Sequence, residues 1–156
     1  MYRTHARSLI TSIAVLGLVL ALAVPARAAV APEVRAGVTS GEVAIGGGLL
    51  MPVARQPSWE FNPNLEATVT GGSSHDLVAL NGDFHYDFPR GDNTAMWVGA
   101  GPALLWQDRG SGRETDVGLN VLTGMGAKHG DVRPFAQVRG TMSNENRLAI
   151  AGGVRF

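Results

Sequence analysis

The 156-residue sequence contains no cysteine, which excludes a disulfide scaffold, a thiolate metal site and a lipoprotein anchor. Charged residues make up only 17% of the chain, and thirteen basic and thirteen acidic residues give a formal net charge of zero. This balance provides no basic surface for phosphates, so we expect no nucleic-acid partner. A low charged fraction together with 21 glycines is also unusual for a soluble enzyme.

The sequence has only one long apolar run, and it lies at the N-terminus. The run Leu9–Val24 follows two arginines and precedes the small-residue triplet Ala26-Arg27-Ala28. This arrangement is typical of a secretory signal peptide. We therefore predict that residues 1–28 are cleaved off and that residues 29–156 form the mature domain. A retained membrane anchor is the alternative, because the run is slightly long for a signal peptide.

The rest of the chain alternates with period two and shows no sustained helical period. In the clearest segment, Val78, Leu80 and Phe84 alternate with Asn81 and Asp83. Breaks rich in Gly, Pro, Ser and Asn separate such segments. Only the apolar segment Ala95–Trp106 leaves open which of its faces points inward. The pattern predicts eight strands, over Glu33–Ser40, Val43–Val53, Phe61–Val69, Leu77–Phe88, Ala95–Trp106, Val117–Ala127, Val132–Met142 and Arg147–Phe156.

Eight strands that occupy most of a chain predict an all-β, antiparallel, up-and-down barrel, in which closure leaves no strand edge unpaired. The predicted strands have about the 9–11 residues that cross a bilayer when tilted. In a soluble barrel the apolar rows would face inward, whereas in a transmembrane barrel they would face lipid. Alternation alone does not distinguish the two, so aromatic residues, charges and the C-terminus must decide.

The aromatic residues favour the transmembrane barrel. With an even number of strands both termini lie at one end, which we assign to the periplasm. Six aromatic side chains then gather near that end, as in the aromatic girdle of an outer-membrane barrel, and Trp106 marks the opposite rim. The predicted girdle consists of Trp59, Phe61, Tyr86, Phe88, Trp97 and Phe156.

The charges on the polar faces nearly cancel, which suggests ion pairing inside the barrel. Acids dominate the third and fourth strands, and bases dominate the seventh, eighth and first, which lie opposite in a closed barrel. Pairing would offset the cost of burying these charges and would close the lumen. We predict a mid-height cluster of Glu66, Asp83 and Arg139, with further luminal charges toward the periplasm at Arg35, Glu60, Asp87, Lys128, Arg133 and Arg155.

The last strand has apolar residues or glycine at every second position and ends on an aromatic residue. The positions are Leu148, Ile150, Gly152, Val154 and Phe156. This ending resembles the C-terminal signature of bacterial outer-membrane barrels, and the preceding segment Val132–Arg139 resembles small barrels of the OmpA/OmpX type.

The resemblance implies a Gram-negative outer-membrane protein that contacts outer-membrane lipid. It also implies that the barrel assembly machinery recognises the C-terminal strand. We further expect a monomer with no cofactor and no metal.

An eight-stranded barrel is just wide enough for side chains to fill, so we predict a non-enzymatic protein with a structural or envelope role. A soluble secreted barrel that binds a small apolar ligand is one alternative. A lipid A-modifying enzyme is another, and it would need a hydroxyl group close to His85 or His75. His85 lies between Asp83 and Asp87 on one face, but a spacing of ~7 Å suits an interior hydrogen-bond network better than metal ligation.

Overall fold

The computed structural model describes residues 30–53, 56, 58–69, 77–88, 93–108 and 112–156. The predicted signal peptide lies outside these residues and stays a prediction. No helix among the described residues is long and apolar enough to cross a membrane. The strands are β1 (Ala31–Thr39), β2 (Glu42–Pro52), β3 (Trp59–Thr68), β4 (Leu77–Asp87), β5 (Thr94–Asp108), β6 (Arg113–Ala127), β7 (Arg133–Met142) and β8 (Arg147–Arg155).

The strands form a closed antiparallel barrel in which each strand pairs with its neighbour in the sequence. β8 returns to pair with β1, from Glu33 opposite Arg155 to Thr39 opposite Ala149. The eight-stranded, all-β, up-and-down prediction is therefore confirmed. We call the end that carries Ala31 and Phe156 the terminal end, and the opposite end the far end.

Strands β5 and β6 are each 15 residues long, which is longer than the sequence pattern predicted. Their ladder runs from Thr94 opposite Ala127 to Asp108 opposite Arg113. Polar residues near the hairpin tip resemble a loop in the sequence, but the antiparallel backbone pairing continues through them.

Alternation along each strand separates an apolar outer face from a largely polar lumen. Val43, Leu119, Leu148 and similar residues are about half exposed, whereas Asn81, Asp83 and His85 are buried. The soluble-barrel alternative required the apolar rows to face inward, so it is wrong. The structure also determines the phase of β5, because Trp97 is 1% exposed and its neighbour Val98 is 43% exposed.

Hydrogen bonds beyond the ladder hold the β1–β8 junction at both ends. At the far end the backbone nitrogen of Ser40 donates to the carbonyl of Leu148 at 2.8 Å. At the terminal end the backbone nitrogen of Phe156 donates to the carbonyl of Pro32 at 2.9 Å. Ser40 and Gly41 have φ values of 50° and 91°, as a two-residue type I′ hairpin requires. This tight turn keeps β1 and β2 in register directly beside the closure.

Two apolar clusters occupy the lumen, one toward each end. Leu77, Ala79, Ala103 and Leu105 form the far-end cluster, and Trp97, Leu122 and Phe135 form the terminal-end cluster. Glycine makes room for the large rings. A Cβ on Gly124 would lie 2.4 Å from the indole of Trp97, and one on Gly153 would lie 2.7 Å from the ring of Phe135.

We expect Gly124→Ala to lower the free energy of unfolding by about 1–3 kcal/mol, because the added methyl overpacks against Trp97. Urea unfolding of the protein in detergent micelles would measure this. Gly152→Ala is the matched control, since its Cβ would meet no atom closer than 3.7 Å. Equal stability of the two variants would contradict the proposed packing role of Gly124.

Candidate functional site in the barrel lumen

Six buried charged side chains form an alternating series of ion pairs through the lumen. Arg155 Nε donates to Glu33 Oε2 at 3.0 Å, and Glu33 also accepts from Arg35. Arg35 Nη1 donates to Glu66 Oε1 at 3.1 Å. Arg139 donates to Glu66 Oε2 and lies 3.8 Å from Asp83 Oδ2. We call this series of three cations and three anions the ionic chain: Arg155, Glu33, Arg35, Glu66, Arg139 and Asp83.

A network of side-chain amides completes the polar layer around the ionic chain. Asp83 accepts from Asn120 Nδ2 at 2.8 Å and from Asn64 Nδ2 at 3.2 Å. Asn62 Oδ1 accepts from Arg35 Nη2 at 2.9 Å. Arg139 reaches Asp83 only at 3.8 Å, so the amides are the nearest donors to that carboxylate. They satisfy a buried charge that would otherwise be costly.

The sequence of β2 and β3 explains why these long polar side chains fit inside so narrow a barrel. Asn64 and Glu66 stand at alternate positions of β3 and pair in register with Gly48 and Gly46 of β2. A Cβ on Gly46 would lie 2.6 Å from Glu66 Cγ, and one on Gly48 would lie 2.7 Å from Asn64 Cβ. The glycines of β2 therefore leave the space that the polar side chains occupy.

A small cavity lies between the ionic chain and the far-end cluster. A cavity of about 20 Å³ is lined there by Glu66, Arg139 and Thr141, among others, which is space for roughly one water. Closer to the far end lies a polar vestibule of about 300 Å³. On its wall Arg147 Nη2 donates to Gln107 Oε1 at 2.6 Å and to Glu145 Oε2 at 3.0 Å.

The structure brings the predicted trio Glu66, Asp83 and Arg139 together as ion partners. Arg35 was expected only toward the periplasm, but its guanidinium reaches Glu66 because arginine spans several ångströms from its strand. The other predicted luminal charges lie toward the terminal end, where only Arg155 joins the ionic chain, through Glu33. Those outside the chain are Glu60, Asp87, Lys128 and Arg133.

Trp97 does not belong to the aromatic girdle, so that prediction was wrong. Its indole is buried in the lumen, where Nε1 donates to Gln137 Oε1 at 3.3 Å and the ring stacks on His85 with centroids 6.0 Å apart. The guanidinium of Arg155 lies 4.4 Å from the same ring. Because β5 is apolar on both faces, its sequence did not reveal that Trp97 points inward.

The remaining predicted girdle residues lie on the outer face or at the terminal end. Tyr86 packs edge-on against Trp59 at 5.3 Å and against Phe88 at 5.5 Å. Phe61 packs at 4.8 Å against Phe84, which is 44% exposed and which the prediction omitted. Phe156 is 42% exposed. Contact of this band with a membrane interface stays a prediction.

The C-terminal residues that resemble an assembly signal share the outer face of β8. Leu148 and Ile150 are more than half exposed, while Gly152 and Val154 lie in register with Ala36 and Val34 of β1. Recognition of this strand, together with Phe156, by the assembly machinery stays a prediction.

Sequence reasoning missed several partners in the lumen. Glu33 was placed on the polar face but not in the central cluster, although it links Arg35 to Arg155. The amides of Asn62, Asn64 and Asn120 were not assigned a role, because a neutral side chain gives no charge to match. Their inward-facing positions in the period-two pattern were the one available signal.

His85 is fully buried, and neither of its ring nitrogens has a hydrogen-bond partner. No group of three or more His, Asp or Glu side chains in the described part of the chain is arranged to hold a metal ion. His75, the other candidate base, lies outside the described residues. His129 Nδ1 lies 3.0 Å from Asn93 Oδ1 in an exposed turn. No described histidine is therefore shown bonded to a serine or threonine hydroxyl, as acyl-transfer chemistry would require.

No family model and no curated protein matches this sequence. The fold, however, is similar to solved structures. The N-terminal β-barrel domain of Pseudomonas aeruginosa OprF matches with a TM-score of 0.66 and 18% identity, covering 82% of this chain and 96% of that chain. Neisserial surface protein A (NspA) matches with a TM-score of 0.63 and 19% identity, covering 81% and 94%.

The fold of this chain is therefore that of the small, closed, eight-stranded antiparallel barrels that these two structures represent. At these identities the likeness concerns the fold alone. The OmpA/OmpX-type architecture expected from the C-terminal strand is confirmed at that level.

We expect Arg139→Ala to lower the free energy of unfolding by about 3–5 kcal/mol, because it leaves Asp83 without its nearest cation and Glu66 with Arg35 as its remaining cation partner. Urea unfolding in micelles would measure this. The double variant Glu66→Leu with Arg139→Met should recover part of the loss, since it removes the Glu66–Arg139 pair as a unit while Asp83 keeps its hydrogen bonds from Asn64 and Asn120. If Arg139→Ala is as stable as the parent, these ion pairs do not stabilise the barrel.

Proposed function

We propose that this protein is a non-enzymatic, monomeric outer-membrane barrel with a structural or envelope role and a lumen closed by the ionic chain. The observation that carries the proposal is the inverted distribution of polarity. Half-exposed aliphatic and aromatic side chains cover the outer wall, and neutralised charges fill the interior. Such a wall suits outer-membrane lipid, because a hydrocarbon environment favours apolar side chains and penalises unpaired polar groups.

A closed lumen is the second part of the proposal. The ionic chain, the two apolar clusters and the amide network occupy the interior between the ends. The cavity near Glu66 and Arg139 has room for about one water, which does not amount to a continuous aqueous path. With a closed lumen, the protein would act as a structural component of the membrane and would not transport solutes.

Membrane fractionation tests the proposed location. The full-length sequence expressed in a Gram-negative host should appear in the outer membrane. On unheated detergent gels the band should migrate faster than after boiling, because a closed barrel resists detergent unfolding. A matched soluble periplasmic protein is the fractionation control. Recovery of the protein in the soluble periplasmic fraction would contradict the proposal.

Planar-bilayer recording tests the closed lumen. The parent protein should show little conductance, whereas Arg139→Ala should conduct more, because it removes the cation that bridges Glu66 and Asp83. Arg113→Ala is the control, since Arg113 is exposed near the tip of the β5–β6 hairpin. A large open conductance in the parent protein would show that the ionic chain does not close the lumen.

The proposed recognition of the C-terminal strand is tested by Phe156→Ala. We expect a lower amount of folded protein in the outer membrane, because the variant removes the terminal aromatic side chain. Phe88→Ala is the matched control, since Phe88 is also at the terminal end and similarly exposed, at 44% against 42%. An equal reduction in both variants would indicate a general loss of packing instead of a loss of recognition.

A further inference from the structure

The mouth of the lumen at the terminal end carries charges that are not paired with one another. Glu60 and Asp87 lie on β3 and β4, and Arg133 and Arg155 lie on β7 and β8. Arg155 interacts electrostatically with both carboxylates, but its ion pair is with Glu33. Among the described residues, no ion pair joins the acidic wall to the basic one. We call Glu60, Asp87, Arg133 and Arg155 the charged mouth.

Several buried polar atoms beside the charged mouth also have no hydrogen-bond partner. These are Asp87 Oδ1, Arg155 Nη2 and both ring nitrogens of His85. His85 is 0% exposed and Arg155 is 6% exposed. Buried polar atoms in proteins are normally bonded to protein or to a bound molecule, so these atoms indicate a site for a polar molecule.

The unpartnered groups are arranged around a single indole, that of Trp97. Arg155 lies 4.4 Å from the ring, His85 stacks on it with centroids 6.0 Å apart, and Asp87 pairs with Trp97 in register. In register Glu60 is the neighbour of His85, and Arg133 is the neighbour of Arg155. The two acids thus lie on β3 and β4 and the two bases on β7 and β8, with the indole of Trp97 between the strand pairs.

We propose that the charged mouth binds a small zwitterionic solute. Its cationic group would pair with Glu60 and Asp87, its anionic group would pair with Arg133 and Arg155, and a ring nitrogen of His85 would supply a hydrogen bond. A simple cation or anion would be attracted by one wall and repelled by the other, because the four charges sum to zero. The narrow interior of an eight-stranded barrel limits the solute to a small molecule. The site requires only the folded barrel, so it does not depend on the proposed envelope role.

The choice of probe tests the requirement for two opposite charges. Isothermal titration calorimetry of the purified full-length protein in detergent would compare taurine with ethylammonium and ethanesulfonate, each of which keeps one charged half. We expect taurine to bind at least about ten-fold more tightly than either half, as one further charge-assisted hydrogen bond would provide. Equal affinities for the three probes, or no binding of taurine, would overturn the proposal.

Variants test the location of the site. Asp87→Asn and Arg133→Gln should each weaken taurine binding by about ten-fold, the effect of one such bond. Neither residue belongs to the ionic chain, so both variants should keep the heat-modifiable band. Arg113→Gln, far from the mouth on the β5–β6 hairpin, is the matched control. Folded variants that bind taurine as tightly as the parent would overturn the proposed site.

Discussion

Closure of the barrel between β1 and β8 is the constraint on which the other features of the structure depend. The ladder from Glu33–Arg155 to Thr39–Ala149, extended by hydrogen bonds from Ser40 and Phe156, leaves neither terminal strand with a free edge. Once the sheet is closed, each residue of a strand must face either the outer wall or the lumen. A one-residue slip in the register of a strand would exchange its two faces. Its apolar side chains would then point into the lumen, and its charged side chains would lie on the outer wall.

The lumen that results is too narrow to hydrate its charges freely, which explains why cations and anions alternate along the ionic chain. Arg35 and Arg139 share the carboxylate of Glu66, and amides complete the coordination of Asp83. Glycines on neighbouring strands provide the space for these side chains and for the ring of Trp97. The charged side chains and the large rings inside the barrel can therefore be accommodated only because glycines stand beside them.

The middle of the lumen and its terminal end differ in a way that matters for function. In the middle, Arg35 and Arg139 of the ionic chain pair with the carboxylate of Glu66. At the terminal end, the charged mouth keeps acids and bases on opposite sides of the indole of Trp97, with unpartnered atoms on His85, Asp87 and Arg155. A barrel with a closed centre can thus still present a chemically specific surface at one mouth.

Much of this architecture followed from the sequence alone, because alternation with period two is a local property of each strand. The number of strands, the inward position of Asp83 and His85 and the outward position of Leu148 and Ile150 could all be read from the order of residues. The trio Glu66, Asp83 and Arg139 was also predictable, because opposite charges stood on strands that closure brings face to face.

Only the tertiary structure decided the features that depend on side-chain length and on packing between strands. Glu33 links two arginines, and Arg35 reaches the middle of the lumen, because long side chains cross several residue levels inside the barrel. Trp97 turns inward because Gly124 on the neighbouring strand leaves space for its indole, and the sequence of β5 is apolar on both faces. The sequence by itself predicted which rows face outward and which face the lumen in every strand except β5, whereas the contacts across the closed barrel determined which luminal groups meet.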